Sequence, residues 1–173
     1  MSIVVMRRQT GRRLRPEVEQ LFREHSQMLY RTAYSVLGNA ADAEDVLQTV
    51  FLRLLRGEQG PEKNASGYLY RAAINVSLNV IRSRKRLELT DNADRFEVPA
   101  DSHSSDVAEE LHARLTAALA KLQPEDAQLL VLRYLHDRTD VEIAKLFGVS
   151  RGSIAIRLFR SRRRLRKLMG EGQ

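Results

Sequence analysis

Basic side chains near the C-terminus have the clearest chemical use in this sequence of 173 residues. Residues 149–173 carry eight arginine and lysine side chains and one acidic side chain. Guanidinium groups neutralise phosphates, and the affinity they give falls steeply as the salt concentration rises. This composition favours the binding of a polyanion over a covalent reaction. Most of the charge lies in one run, made of Arg157, Arg160, Arg162, Arg163, Arg164, Arg166 and Lys167.

The basic run completes a motif at residues 139–165 that has the pattern of two short helices. Thr139 and Glu142 have the spacing of a capping box, in which two backbone donors at a helix start are satisfied reciprocally. Gly148 is placed to end this helix, and Ser150 can cap the next one. Two capped helices joined by a short glycine turn predict a helix-turn-helix, whose second helix reaches base edges in DNA.

Composition narrows the class of protein. The chain is 43% hydrophobic and 29% charged, which is typical of a folded protein. It has no cysteine, and its four histidines are scattered without ligand spacing, so we expect neither a metal nor a cofactor. No run of about 18 apolar residues occurs, which argues against insertion into a membrane. Potential nucleophiles such as Ser150 have evident structural roles, so we do not expect an enzyme.

Hydrophobic periodicity predicts an all-α protein with two small helical domains joined by an acidic flexible linker. Apolar residues recur at helical spacing through 17–86, interrupted by a polar loop with Gly and Pro at 56–67. Residues 87–106 are acidic, contain a proline and lack a sustained period, which is typical of a linker. Helical spacing returns in 107–173, the domain with the helix-turn-helix. Residues 1–16 carry five arginines and are predicted to form a disordered basic arm.

Three segments of the chain resemble a known family in the order that the family has them. AADAEDVLQTVFLRLLR resembles the core-polymerase-binding helix of sigma factors (region 2), and SGYLYRAAINVSLNVIRSRKR resembles the helix that follows it. LQPEDAQLLVLRYLHDRTDVEIAKLFGVSRGSIAIRLFRSRRRLRKL resembles the domain that binds upstream promoter DNA (region 4). With only a linker between them, the chain is similar to the small extracytoplasmic-function (ECF) sigma factors of the sigma-70 superfamily.

The resemblance implies a cytoplasmic alternative sigma factor that binds bacterial core RNA polymerase, recognises promoter −35 and −10 elements and promotes promoter opening. It implies no small-molecule substrate. An anti-sigma factor, which masks many members of the family, is a further candidate partner. We expect the free chain to bind DNA weakly, because two flexibly tethered lobes would be ordered only on polymerase.

The resemblance also implies roles for individual residues. The implied core-polymerase contacts are Asp42, Glu44, Asp45, Gln48 and Phe51. The residues implied to face −10 DNA are Tyr68, Arg71, Asn75, Ser77, Asn79 and Arg82. Those implied to hold −35 DNA are Ser150, Arg151, Ser153, Ile156, Arg157 and Arg160. The region of Leu129, Leu132 and Tyr134 is implied to rest on the polymerase flap. Ala155 and Ile156 stand where the family usually has a Lys-Ser pair, and Ile156 can contact a thymine methyl group.

Two other classes of protein fit parts of the sequence. A stand-alone dimeric helix-turn-helix regulator would bind a palindromic operator without polymerase, and it would need a dimerisation helix. A nucleic-acid enzyme with a C-terminal helix-turn-helix would need a nucleophile beside clustered acids or bases. Two dissimilar DNA-facing lobes with an acidic connector favour the sigma factor over both.

Overall fold

The computed structural model describes residues 16–57, 64–91 and 107–170, and these ranges are helical, as the hydrophobic periodicity predicts. The predicted basic arm (apart from Pro16) and residues 92–106 of the predicted linker lie outside the described residues. The helices are α1 (Pro16–Leu37), α2 (Ala40–Arg56), α3 (Ala65–Asp91), α4 (Val107–Lys121), α5 (Pro124–Leu130), α6 (Asp140–Phe147) and α7 (Arg151–Met169), with a π-helical turn at Val131–Leu135.

The N-terminal half is a bundle of α1, α2 and α3. Asn39 caps α2 by accepting a 2.9 Å hydrogen bond from the backbone N–H of Asp42. The helices bury their apolar stripes against each other, and the rings of Phe22 and Phe51 meet edge to face with centroids 4.7 Å apart. Helix α3 continues to Asp91, five residues beyond the predicted end of this domain.

The C-terminal half contains the predicted helix-turn-helix. Thr139 and Glu142 form the capping box at the start of α6, with both reciprocal hydrogen bonds present. Gly148 ends α6 in the left-handed conformation (φ +65°), in which a residue with a side chain would be strained. Ser150 then caps α7 by accepting from the Ser153 N–H at 3.2 Å. These local signals fix where α6 ends and where α7 begins.

The two halves pack against each other through α3. Tyr70, Ile74 and Leu78 on α3 belong to the same buried cluster as the core residues of the C-terminal half. The described parts of the two lobes are therefore in contact, which differs from the expectation of two flexibly tethered lobes. The C-terminal members of the cluster include Leu119, Leu129, Leu130, Leu132, Ile143, Ile154 and Leu158.

Candidate polymerase and nucleic-acid interfaces

The outer face of α2 presents polar and acidic side chains. Asp45 and Gln48 are exposed, while Asp42 and Glu44 are half-buried. Hydrogen bonds from Asn39 and then Arg84 hold the pKa of the Asp42 carboxyl below its usual value. Asp42 therefore serves the N-terminus of α2 and the contact between α2 and α3, while Asp45 and Gln48 remain available to a partner.

Phe51 does not belong to this face. Its side chain is 1% exposed and lies in the core against Phe22. It continues the apolar stripe of Leu47 and Leu54, so helical spacing turns it inward. The prediction that Phe51 contacts polymerase directly is wrong, and its role is to hold α2 on α1.

The side chains of α3 that were assigned to −10 DNA do not share one face. Asn79 is exposed and Tyr68 is half-buried, and burial raises the pKa of the Tyr68 hydroxyl. Ser77 is fully buried, and its Oγ donates a 2.7 Å hydrogen bond to the carbonyl of Ala73. The prediction for Ser77 is therefore wrong, because its hydroxyl is already paired inside the bundle.

The other three residues of that set contact the C-terminal half. Asn75 Oδ1 accepts a 2.8 Å hydrogen bond from the side chain of Gln128. Arg82 Nε donates to the carbonyl of Ala120 at 2.6 Å. The guanidinium of Arg71 lies 5.4 Å from the centroid of the Phe147 ring, a cation–π distance. In this conformation, these side chains face protein rather than solvent.

Helix α7 has one buried and one exposed face. Ile154 and Leu158 are buried, and Ser161 Oγ donates to the carboxylate of Asp126 on α5 at 2.7 Å. Asp126 also forms an ion pair with Arg164, so α7 is fixed against α5 on its inner side. The exposed residues include all six that were assigned to −35 DNA, namely Ser150, Arg151, Ser153, Ile156, Arg157 and Arg160.

Phe159 adds to the predicted residues of the α7 face, and Arg157 of the predicted set has an acidic neighbour. Phe159 is 64% exposed and lies one helical turn from Ile156, which is 55% exposed. Two apolar residues spaced i, i+3 on an otherwise basic helix lie on the same face, and this spacing is the sequence signal that places Phe159 beside Ile156. Arg157 lies 3.6 Å from the carboxylate of Glu125, so an acid on α5 partly neutralises it.

The region predicted to rest on the polymerase flap contains both exposed and buried side chains. Tyr134 is 50% exposed, whereas Leu129 and Leu132 are 1% and 0% exposed and form part of the core. The helical and π-helical turns direct these two leucines inward, so Tyr134 is the exposed member of the region predicted to rest on the flap.

Neither a metal site nor a membrane span is present in the described ranges. Residues 16–57, 64–91 and 107–170 hold no group of three potential metal ligands. Within the same ranges, every helix is too short or too polar to cross a bilayer.

The sequence has relatives that match both halves. Sigma-70 region 2 matches residues 21–87, and Sigma-70, region 4 matches residues 112–165. The ECF RNA polymerase sigma factor SigE of Mycolicibacterium smegmatis is 33% identical over 163 residues, which cover 90% of this chain and 63% of SigE. SigL of Mycobacterium tuberculosis is 31% identical over 158 residues, or 87% of this chain and 88% of SigL. The sigma factor RpoE of Bartonella quintana, solved with the anti-sigma factor NepR, is 21% identical with a TM-score of 0.47, over 91% of this chain and 99% of RpoE.

The described helices form a bundle followed by a helix-turn-helix whose second helix exposes basic side chains, an arrangement typical of DNA-binding proteins. The region matches and the SigL relative identify it further: the chain belongs to the sigma-70 family, as an ECF sigma factor. It is an alternative sigma factor, in a family of transcription initiation factors that bind core RNA polymerase and promoter DNA and are in general not enzymes.

Proposed function

We propose that this chain binds core polymerase through the outer face of α2 and reads the −35 element with the exposed face of α7. The observation that supports this most directly is that the two faces lie on different halves and differ in charge. Asp45 and Gln48 are exposed on α2, whereas α7 presents a basic face with Arg151 and Arg160. Such a chain can contact a protein and a nucleic acid at once.

The α7 face combines phosphate and base contacts. Arg151 and Ser153 lie in the first turn of α7, the end of a recognition helix that reaches base edges. Arg157 and Arg160 supply charge along the same face, and Ile156 offers an apolar contact for a thymine methyl group. Phosphate contacts would give affinity and register, while the first turn and Ile156 would give sequence preference.

The α3 face supplies the −10 contacts in this proposal. Its members are Tyr68, Arg71, Asn75, Asn79 and Arg82, and Ser77 is omitted because it is buried. Promoter opening requires no covalent step, because a surface that binds unpaired bases better than paired ones shifts the equilibrium towards the open strands. Stacking on an aromatic ring such as Tyr68 offsets part of the cost of unstacking.

The proposal includes the domain boundaries and the compartment. Region 2 comprises residues 17–86 and region 4 comprises residues 107–173, joined by 87–106. The site of action is the cytoplasm, where polymerase and chromosomal DNA meet.

Binding of the labelled chain to purified bacterial core polymerase tests the α2 assignment. We expect Asp45→Ala and Gln48→Ala each to weaken core binding by about tenfold or less, and the double variant to weaken it further. Gln27→Ala, an exposed glutamine on α1, is the matched control and should bind like the wild type. Unchanged core binding by the double variant would contradict the assignment.

A further inference from the structure

A cavity of about 380 Å³ lies where α3 of the N-terminal half meets α5, α6 and α7 of the C-terminal half. Its volume is within the range of pockets that bind small molecules. The wall is mixed in character, because it includes charged, amide and aromatic side chains. The members able to bind a ligand are Arg71, Glu125, Gln128, Phe147 and Arg157. The two halves therefore form a site that neither half forms alone.

The charge of this cavity favours an anion. Arg71 comes from the N-terminal half and Arg157 from the C-terminal half, so two guanidinium groups oppose the carboxylate of Glu125. That carboxylate is 72% exposed and lies 3.6 Å from Arg157, and an ion pair this long and exposed contributes little. A guanidinium group presents a planar fork of donors that matches the oxygens of a phosphate. Two such groups on one cavity wall favour a ligand that carries a phosphate.

Phe147 and Gln128 give the same cavity a surface that suits a planar ring. The guanidinium of Arg71 lies 5.4 Å from the centroid of the Phe147 ring, so both groups offer flat surfaces for stacking. Gln128 is 4% exposed, and the 2.8 Å hydrogen bond that its Nε2 donates to Asn75 fixes the amide on the wall. The carbonyl oxygen of Gln128 is an acceptor for an N–H group of a ligand. A flat heterocycle with N–H groups meets both requirements.

We propose that this cavity binds a small organic phosphate of nucleotide size. Arg71 and Arg157 hold the phosphate, and the planar ring lies beside Phe147 and Gln128. Because the two guanidinium groups belong to different halves, the bound ligand connects α3 to α7. The site itself depends on the packing of the described residues and not on the assignment of any DNA contact.

The ligand also competes with DNA, and this part of the inference rests on the proposed function. Arg71 is one of the proposed −10 contacts, and Arg157 is one of the proposed −35 contacts. The phosphates of DNA and the phosphate of the ligand have the same chemistry, so they bind the same guanidinium groups in turn. A high concentration of the ligand therefore lowers the affinity of the chain for promoter DNA.

Isothermal titration calorimetry on the full chain without DNA tests the site. The probes are AMP, GMP, CMP and UMP, with inorganic phosphate and the corresponding nucleosides as the separate parts of the ligand. We expect at least one nucleotide to bind with a Kd of about 100 µM or less, and its separate parts to bind at least about tenfold more weakly. Two results would overturn the proposal: no binding of any of the four nucleotides at about 1 mM, or binding of inorganic phosphate as tight as that of the nucleotide.

Variants of the lining locate the binding. Arg71→Ala and Arg157→Ala each remove one guanidinium group, and we expect each to weaken nucleotide binding at least about tenfold. Arg151→Ala, which removes an exposed arginine from the first turn of α7, is the matched control and should bind like the wild type. Equal losses in the control and in the two cavity variants would overturn the proposal.

Glu125→Gln gives a test that poor folding cannot imitate. It removes the opposing charge at nearly constant size, and we expect it to tighten nucleotide binding about two- to fivefold. Partial unfolding lowers affinity and does not raise it, so a gain identifies the cavity even where an arginine variant folds poorly. Unchanged or weaker binding by a folded Glu125→Gln variant would contradict the placement of the phosphate.

Competition with a fluorescein-labelled duplex from upstream of the chain's own gene tests the DNA part separately. At constant ionic strength, a saturating nucleotide should weaken duplex binding at least about threefold. If the nucleotide binds at the cavity and leaves duplex binding unchanged, the site is supported and the assignment of Arg71 and Arg157 to DNA fails. If no nucleotide binds, the site fails, while the polymerase and −35 assignments remain to be decided by core binding and transcription.

Discussion

The side chain of Gln128 donates a 2.8 Å hydrogen bond to Asn75 Oδ1, and this bond connects α5 of the C-terminal half to α3 of the N-terminal half. Both side chains are polar, and Gln128 is only 4% exposed. A buried amide needs such a partner because an unpaired polar group in the interior is costly. The contact therefore contributes to the specific packing of the two halves against each other as well as to its stability.

We expect the carboxylate of Asp126 on α5 to hold α7 against α5. Its side chain is 14% exposed and bonds the buried hydroxyl of Ser161 as well as Arg164. We expect Asp126→Ala to lower the free energy of unfolding by about 1 kcal/mol, because Ser161 and Arg164 lose this acceptor while the Ser161 hydroxyl keeps its 2.9 Å hydrogen bond to the Arg157 carbonyl. The neighbouring Glu125 is 72% exposed, so Glu125→Ala should change stability by less than about 0.5 kcal/mol. Urea unfolding measures both, and equal losses would contradict this assignment.

Thr139 should stabilise the first helix of the helix-turn-helix. Thr139→Ala removes the hydroxyl that accepts from the Glu142 N–H, and we expect a loss of about 1 kcal/mol in thermal or urea unfolding. Thr139→Ser keeps the acceptor and should be close to the wild type. If the serine variant lost as much stability as the alanine variant, the cap would not be the cause.

The capping box also carries a dependence on pH. Hydrogen bonds from the Thr139 backbone, the Thr139 hydroxyl and Arg138 hold the pKa of Glu142 below its usual 4.5. The stabilisation is therefore complete above pH 4.5 and is lost as the pH falls through the lower value of the folded state. Glu142→Gln should flatten this part of the curve of stability against pH.

The capping box of α6 and the bond between Asn75 and Gln128 show which parts of the structure the sequence could predict and which it could not. The capping box and the glycine turn are local, since every partner lies within a few residues, and the helical periodicity gave the right fold class. The bond between Asn75 and Gln128 spans 53 residues, and no local pattern specifies it. The family resemblance implied that Phe51 contacts polymerase, although its helical spacing from Leu47 already placed it on the buried apolar stripe of α2.

Acidification should loosen the contact between the halves at His136, whose imidazole lies 3.1 Å from the Ser35 hydroxyl of α1 and meets the Tyr70 ring of α3 edge to face at 5.9 Å. Burial, followed by the charge of Arg138, holds the pKa of His136 below its usual 6.5, while Asp137 acts in the opposite direction. The contact is therefore strongest above pH 6.5 and weakens as the pH falls through the lower pKa that His136 has while the halves are packed together. The distance between spin labels attached through Gln27→Cys on α1 and Val141→Cys on α6, two exposed sites in a chain without cysteine, should lengthen between about pH 7.5 and about pH 5.5. His136→Asn, which cannot titrate, should remove this response, and a response that persisted in it would exclude His136 as the cause.

Arg160 and Arg164 should differ in their effect on DNA binding. Arg160 is exposed on the DNA-facing side of α7, whereas Arg164 is paired with Asp126. Arg160→Ala should lower the slope of log affinity against log salt by about one for a −35 duplex. Compared with Arg160→Ala, Arg164→Ala should change this slope less and should lower the free energy of unfolding more. Equal slopes for the two variants would show that the ion pair does not withhold Arg164 from the phosphates.

Run-off transcription tests the central claim most directly. The purified chain is combined with bacterial core polymerase and a DNA fragment taken from upstream of its own gene. We predict transcripts from one defined start that require both proteins and that fall when Asp45 and Gln48 are both changed to alanine. The absence of transcripts, together with a discrete footprint formed without polymerase, would contradict the account and indicate a stand-alone operator-binding regulator.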